Sequence, residues 1–348
     1  MTPMSDHTPR RRRRPLFAAL AGALALTAGA GLFLRSDTDV LGQDRFCKGA
    51  LDSAEARAAL AGPGRLEQGH GYDARDPYYS FSCTVQRADG LLGARRPRMT
   101  AELSFDEADF AFSGSPLWKN ASAGSYFVGG ATGAASGTQA WVLLPSGCTY
   151  EPRPGLRHSQ VPVLKLAMAR GRGEPVALAK VAMSAARHVA EGLGCQDTGM
   201  LNTPARLQGP VDADDPANTC EVPGFRLPQA ALLPGKAEQG PSRVTGRGSR
   251  TRACEVQLRG PGEPRITLTV SDDPVLARGV RRDTTATADN RRTVVACPSG
   301  DLYVGMSHND AYGDLLLDKG VDASGRALSA IFDAFYQAVL RDRGCRTG

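Results

Sequence analysis

Residues 178–195, LAKVAMSAARHVAEGLGC, and residues 328–345, LSAIFDAFYQAVLRDRGC, decide how this chain is read. In the first, Leu178, Val181, Ala185, Val189 and Leu193 recur at steps of three and four. In the second, Leu328, Ile331, Phe335 and Val339 stand at the same distances from the closing cysteine. That period gathers apolar side chains on one side of an α-helix. Gly194 and Gly344 sit where a helix end favours a left-handed residue without a Cβ. Two helices closed alike imply one unit present twice.

Working back from each helix, a strand runs into Pro-Ser-Gly. In the first copy Ala140 to Leu144 leads to Pro145-Ser146-Gly147, and in the second Thr293 to Cys297 leads to Pro298-Ser299-Gly300. If the tripeptide is a three-residue hairpin loop, its flanking residues face each other across the strands. Cys148 and Cys297 then occupy opposite legs of equivalent hairpins, and either can reach the cysteine at its helix end. Further back, Tyr79 to Val85 carries Cys83 and Thr251 to Leu258 carries Cys254. Met99 to Phe105 matches Arg265 to Val270, where Ile266, Leu268 and Val270 alternate as in a half-buried strand. At the front, Cys47 opens a short helix with Asp52 and Glu55 at capping-box spacing, and Cys220 opens a proline-interrupted counterpart around Leu227 to Leu233. The expected fold is α+β: a mainly antiparallel sheet with helices packed on one face, twice.

The cysteines agree with that reading. Cys47, Cys83, Cys148 and Cys195 fall in the first copy; Cys220, Cys254, Cys297 and Cys345 fall in the second. Pairing within copies, in one common pattern, leaves three connectivities. The favoured one joins first to second and third to fourth: Cys47–Cys83, Cys148–Cys195, Cys220–Cys254 and Cys297–Cys345. Each loop would enclose roughly 35 to 50 residues, worth about 3–4 kcal/mol in the chain-entropy account. Such use of cysteine belongs to an oxidising compartment.

The N-terminus points to the same place. Arg10 to Arg14 precede Leu16 to Leu34, nineteen residues without a charge, and Arg35 follows. As a helix this stretch spans roughly 28 Å, close to the hydrocarbon thickness of a bilayer. Arginines stay cytoplasmic, so the C-terminal bulk is expected outside. Residues 1–15 read as a cytoplasmic basic tail, 16–34 as an anchor, 35–45 as a stalk, 46–196 and 219–348 as the two copies, and 197–218 as a linker. Ala28-Gly29-Ala30 leaves cleavage, and hence secretion, as the alternative. The first copy carries an extra stretch, Ala111 to Thr138, dense in Gly, Ser and Ala, which reads as a long loop.

The formal charge of +6 is concentrated in the tail. Five arginines and Asp6 give the first 15 residues +4, leaving +2 for everything else. A nearly neutral folded part has no electrostatic reason to seek nucleic acid. The excess of 36 arginines over 6 lysines is a codon-usage signature with no physical consequence.

The order of elements, with Gly129-Gly130-Ala131-Thr132-Gly133 ahead of Ala140 to Pro145, the Pro-Ser-Gly turns and the cysteines, resembles extracytoplasmic lipoprotein-like domains of high-GC Gram-positive bacteria. The resemblance covers residues 46–346. It implies a PsbP-like sandwich and a family of largely unknown function, and it supplies no catalytic residues. This chain departs from it in having no cysteine near residues 16–34 for lipid attachment.

Chemistry is sparse. The histidines, at 7, 70, 158, 188 and 308, have no partners at metal-ligand spacing. His188 reads as a helix-surface residue, and His308, in Ser307-His308-Asn309-Asp310, as a loop residue. Ser146 and Ser299 lack the glycines of a nucleophile elbow. The clusters Asp212, Asp214, Asp215 and Asp272, Asp273 lack a calcium loop. Asn120-Ala121-Ser122 is a glycosylation sequon only in form. Tyr72, Tyr78, Tyr79, Phe81, Trp118 and Tyr126 could present a surface for protein or glycan, although aromatics more often serve a core. The sequence therefore points to no catalytic residue, cofactor or metal. It suggests an envelope binding or scaffolding protein with an unidentified protein or glycan partner; the rival is an envelope enzyme, or its accessory, with a site between the copies.

Overall fold

A computed structural model describes residues 42–69, 81–88, 96–108, 124–145, 147, 160–202, 206–233, 237–282 and 291–345. The basic tail, the segment 16–34 and most of the stalk lie outside the described residues. Among the described residues no helix is long and apolar enough to cross a membrane.

The first half opens with β1 (Arg45–Phe46) and β2 (Leu51–Asp52), then α1 (Ser53–Ala59). Asp52 caps α1 by accepting from the N–H groups of Ala54 and Glu55. Only half of the expected capping box forms, because the Glu55 carboxylate instead accepts from the Ser184 hydroxyl at 2.6 Å. Next come β3 (Leu66–Gln68), β4 (Ser82–Arg87), β5 (Arg98–Glu107), β6 (Ser125–Val128), β7 (Gly133–Ala135), β8 (Gln139–Leu143), β9 (Gln160–Arg170) and α2 (Pro175–Gly192). The second half runs β10 (Arg206–Gln208), β11 (Val211–Ala213), β12 (Glu238–Thr245), β13 (Thr251–Arg259), β14 (Arg265–Ser271), α3 (Pro274–Arg282), β15 (Arg292–Cys297), β16 (Gly300–His308), α4 (Asp310–Leu317) and α5 (Val321–Arg343).

The architecture is α+β and its strand pairings are antiparallel. One sheet has the order β10-β6-β7-β8-β9-β5-β4-β3 and the other β11-β12-β13-β14-β16-β15. Five strands correspond in order: β3-β4-β5-β9-β8 in the first and β12-β13-β14-β16-β15 in the second. The long helices end alike. Gly194 and Gly344 both have φ of 62°, and the next residue's N–H, of Cys195 or Cys345, reaches back to the carbonyl of Ala190 or Leu340 at 2.9 Å. That closure satisfies a carbonyl left over at the helix end.

Each sheet packs one face on its long helix. Val85, Met99 and Leu164 meet Val181 and Ala185 of α2 in the first half. Ile266, Leu268 and Val304 meet Ile331 and Phe335 of α5 in the second, and Phe225 stands edge-on to Phe335 with centroids 5.3 Å apart. The alternation read at Ile266, Leu268 and Val270 therefore points into this core.

Several expectations need correction. Pro298-Ser299 is a two-residue loop closed by the pair Cys297 and Gly300, not a three-residue loop. In the first half Leu143 pairs with Val163, so Pro145-Ser146-Gly147 closes no tight hairpin. Residues 227–233 hold only a 3-10 turn, Gln229–Leu232, because Pro228 ends on extended backbone and Leu233 is left-handed. The stretch read as a long loop ends in β6 and β7, with residues 109–123 outside the described part. Residues 197–218 carry β10, β11 and two 3-10 segments, Thr198–Leu201 and the start of Pro216–Glu221. Finally, α3 does not join the other helices. Leu276 and Val280 belong to a third core on the opposite face of the second sheet.

Candidate functional site

The cysteines organise both halves. Cys47 is bonded to Cys83, Cys220 to Cys254 and Cys297 to Cys345, with Cα separations of 5.8, 5.5 and 4.5 Å. Cys195 is also disulfide-bonded, and Cys148 lies outside the described residues. The opening cysteines share a rare backbone state: Cys47 and Lys48 have φ of 53° and 57°, Cys220 and Glu221 of 62° and 53°. Side chains seldom occupy that region, so its repetition marks a turn that aims each cysteine at the strand behind it. Cys83 and Cys254 are buried where β4 and β13 cross the cores. These bonds place the folded part in an oxidising, extracytoplasmic environment.

The two halves share the third core. The faces of β8 and β9 turned away from α2 contribute Trp141, Leu143, Val161 and Val163; the second half contributes Leu276 of α3 and Tyr303 of β16. Tyr126 is 2 % exposed and stands edge-on to Trp141 with centroids 6.0 Å apart. It serves this core rather than a free aromatic surface, and burial pushes its phenol pKa up. Polar contacts complete the seam. The Thr245 hydroxyl lies 3.0 Å from the Gly124 carbonyl and 3.1 Å from that of Gln208. Lys165, on the same face of β9, forms an ion pair with Asp106 at 2.5 Å, and both side chains are largely buried. Among the described residues, apolar side chains from both halves pack together along this seam.

An opening remains at one end of the seam. There the β6–β7 turn of the first half meets the β12–β13 turn of the second around a small cleft with room for about one water molecule. Gly129, Gly130 and Thr132 line one side, Ser249 and Arg250 the other. Gly129 and Gly130 have φ of 81° and 73°, and a Cβ on Gly130 would lie 2.8 Å from the Met200 carbonyl oxygen. Only glycine lets this turn sit so close to the segment beneath it. Thr132 is 4 % exposed. Its hydroxyl and that of Ser249 have no hydrogen-bond partner among the described residues.

Charged residues lie along and beside the β12–β13 turn. Glu221 pairs with Arg247 and, at 3.1 Å, with Arg252. Burial lowers the pKa of Arg252, helped by the like charges of Arg247 and Arg343. Asp272 has its pKa raised, first by burial, although Arg250 and Arg343 pull it down. Arg250 itself forms no ion pair within 4 Å among the described residues.

The remaining candidates take structural places. His188 is half-buried on α2. His308 ends β16 with Nδ1 3.1 Å from the Asn309 carbonyl oxygen and its ring edge-on to Tyr312, while Asn309 caps α4. Ser299 is exposed in its turn. Asp212 sits on β11 beside Arg243, Asp215 caps a 3-10 turn, and Asp273 accepts from Val275 N–H at the start of α3. Asn218 bonds the Asp215 carboxylate and holds its pKa below the usual range. Phe81 packs against the first core. Among the described residues no group of His, Cys, Asp or Glu could hold a metal ion. His7, His70, His158, Ser146, the sequon Asn120-Ala121-Ser122, Tyr72, Tyr78, Tyr79 and Trp118 lie outside them. The cleft was missed by sequence reading, because its residues come from two turns far apart in the chain; the only local signal was Gly129-Gly130. No family model, curated protein or solved structure matches this chain.

Proposed function

We propose that this chain is a membrane-anchored envelope protein in which two disulfide-stapled copies of one α+β unit act together in binding or scaffolding. Residues 16–34 hold it in the membrane and the bulk lies outside. The observation that carries the reading is the pairing of disulfides in matching positions, Cys47–Cys83 and Cys220–Cys254, on strands of matching order. The resemblance to lipoprotein-like domains supports the same assignment. A shared core suits presentation of one rigid surface, since neither copy can turn without exposing Trp141 or Tyr303.

In-cell crosslinking of the tagged protein, followed by identification of the captured species, tests the role. A reproducible envelope protein or glycan is the expected result, and capture of cytoplasmic species alone would overturn it. Protease added to intact protoplasts should degrade the bulk of the chain while sparing the N-terminus; complete protection would refute the orientation. The rival, an enzyme with a site between copies, draws on the cleft at Thr132 and Ser249. Nucleophilic use of either hydroxyl needs a base beside it, and neither has such a partner among the described residues.

A further inference from the structure

We infer that the outer edge of β15, at Val294 and Ala296, pairs with β15 of a second copy of this chain, joining two second-half sheets antiparallel into one. That edge has an occupied counterpart in the first half. Counting back from the shared Pro-Ser-Gly, Trp141 and Leu143 of β8 correspond to Val294 and Ala296 of β15. The sides agree: Trp141 belongs to the third core and Val294 packs against it. Val142 lies in the core under α2, and Val295 packs against the core under α5. On β8 the edge away from β9 is taken. β7 lies along it antiparallel, with Ala134 opposite Trp141, and the Leu143 N–H donates to the Thr132 carbonyl at 2.9 Å. On β15 the same edge carries no strand among the described residues.

The hairpin sets the direction of the backbone. Its two-residue loop makes Cys297 and Gly300 a hydrogen-bonded pair, and such pairs recur at every second residue of an antiparallel ladder. The Met306 N–H, donating to the Arg291 carbonyl at 2.9 Å, keeps that phase at the far end of the strands. Cys297, Val295 and Thr293 therefore turn their amides to β16, while Ala296 and Val294 turn theirs outward, as Leu143 does in the first half. Exposed edges are commonly blunted by a bulge, a proline or charges along the strand. From Thr293 to Cys297 there is no proline or charge, and the register with β16 is unbroken. A two-fold axis perpendicular to a strand lays it antiparallel to its own copy, the sense in which β7 meets β8. With that axis at Val294, outward residues meet outward residues. Val294 meets the partner's Val294 and Ala296 faces the partner's Arg292, so the strand complements itself with no like charges opposed.

The test measures self-association of the full-length chain in detergent by sedimentation equilibrium. A reversible dimer is expected. Ala296→Pro should weaken it about tenfold or more, because proline removes an outward N–H that the ladder with β16 does not use. Position 296 also reads the register. Within its own chain the residue there faces Asp301, which favours lysine over glutamate. Across the new edge it faces the partner's Arg292, twice in each dimer. Ala296→Glu should therefore tighten the dimer a few-fold and Ala296→Lys loosen it by a similar factor, opposite in sign to the pairing within the chain. Ala296 is exposed, and peptide mapping of Cys297–Cys345 checks that each variant has folded. Should Ala296→Pro fail that check, the glutamate and lysine variants decide the matter. A monomer at all concentrations overturns the proposal. So does a dimer indifferent to the substitutions, as one held by residues 16–34 would be, or one that lysine tightens and glutamate loosens. The binding role proposed above does not depend on the result.

Discussion

The connection between β5 and β8 in the first half and that between β14 and β15 in the second start and end at corresponding strands, yet they build different things. In the first, residues up to Thr138 supply β7 and β6, which continue the sheet beyond β8, and β10 adds to them. In the second, the connection supplies α3, which lies on the face away from α5, and β15 remains the last strand of the described sheet. The contrast teaches where two sheets of matching strand order differ. Strands that bury side chains against the long helix keep their order, while the outer connection changes and the new pieces become the seam.

Four outcomes break or sharpen that contrast. The largest effect belongs to the shared parts. Cys47→Ala with Cys83→Ala, and Cys220→Ala with Cys254→Ala, should each cost about 4 kcal/mol in urea unfolding, since the bonded residues are 36 and 34 positions apart. Costs differing severalfold would mean the two turns are not equivalent. Non-reducing peptide mapping of the wild type should return both bonds together with Cys297–Cys345.

The seam comes next. Trp141→Ala should cost about 3–5 kcal/mol and Leu276→Ala about 2–5, both being buried in the third core. A double variant should depart from additivity by about 0.5 kcal/mol or more if one core holds both residues. Strict additivity would separate the halves energetically and weaken the case for a single rigid surface.

A smaller effect separates two glycines. A Cβ on Gly133 of β7 would lie 2.4 Å from both the Phe127 ring and the Trp141 carbonyl oxygen. Gly133→Ala is therefore expected to cost about 1–3 kcal/mol through crowding. Gly300 of the β15–β16 hairpin has open space around it, but its φ is 115°. Gly300→Ala should cost about 1 kcal/mol through backbone conformation alone. Equal costs would remove crowding as the reason for glycine in β7.

The smallest effect is electrostatic. Burial raises the Asp272 pKa, so the folded state holds that proton more tightly than the unfolded chain. Its contribution favours folding below the ordinary carboxylate range and is lost as pH rises through the raised value. Asp272→Asn should flatten the pH dependence of the urea midpoint just above that range, with a small gain at neutral pH. A steeper profile in the variant would reverse the sign assigned here.

How much was legible follows from the same physics. The long helices announced themselves because Leu178, Val181 and Ala185, like Leu328, Ile331 and Phe335, face one core. Ile266, Leu268 and Val270 were readable for the same reason, with one buried face each. β6 and β7 were not, since Gly133, Ala134 and Ala135 carry too little side chain to show alternation, and all three are buried. β10 and β11 are three residues each, too short for a period to show. α3 presents only Leu276 and Val280 as spaced apolar residues, and its position depends on the first half, which no local window contains. The cleft was hidden on similar grounds: Thr132 and Arg250 are brought together by the seam.

One feature of the connection between the halves bears on how molecules in a crowd keep to themselves. Only Gly209 and Pro210 separate β10, in one sheet, from β11, in the other. A tether that short holds the two faces of the seam at a high effective concentration, in the millimolar range or above. Each chain then closes on itself before it meets a neighbour. Lengthening this link would lower that advantage and let the second half of one molecule settle on the first half of another, so that two residues guard against exchange between copies.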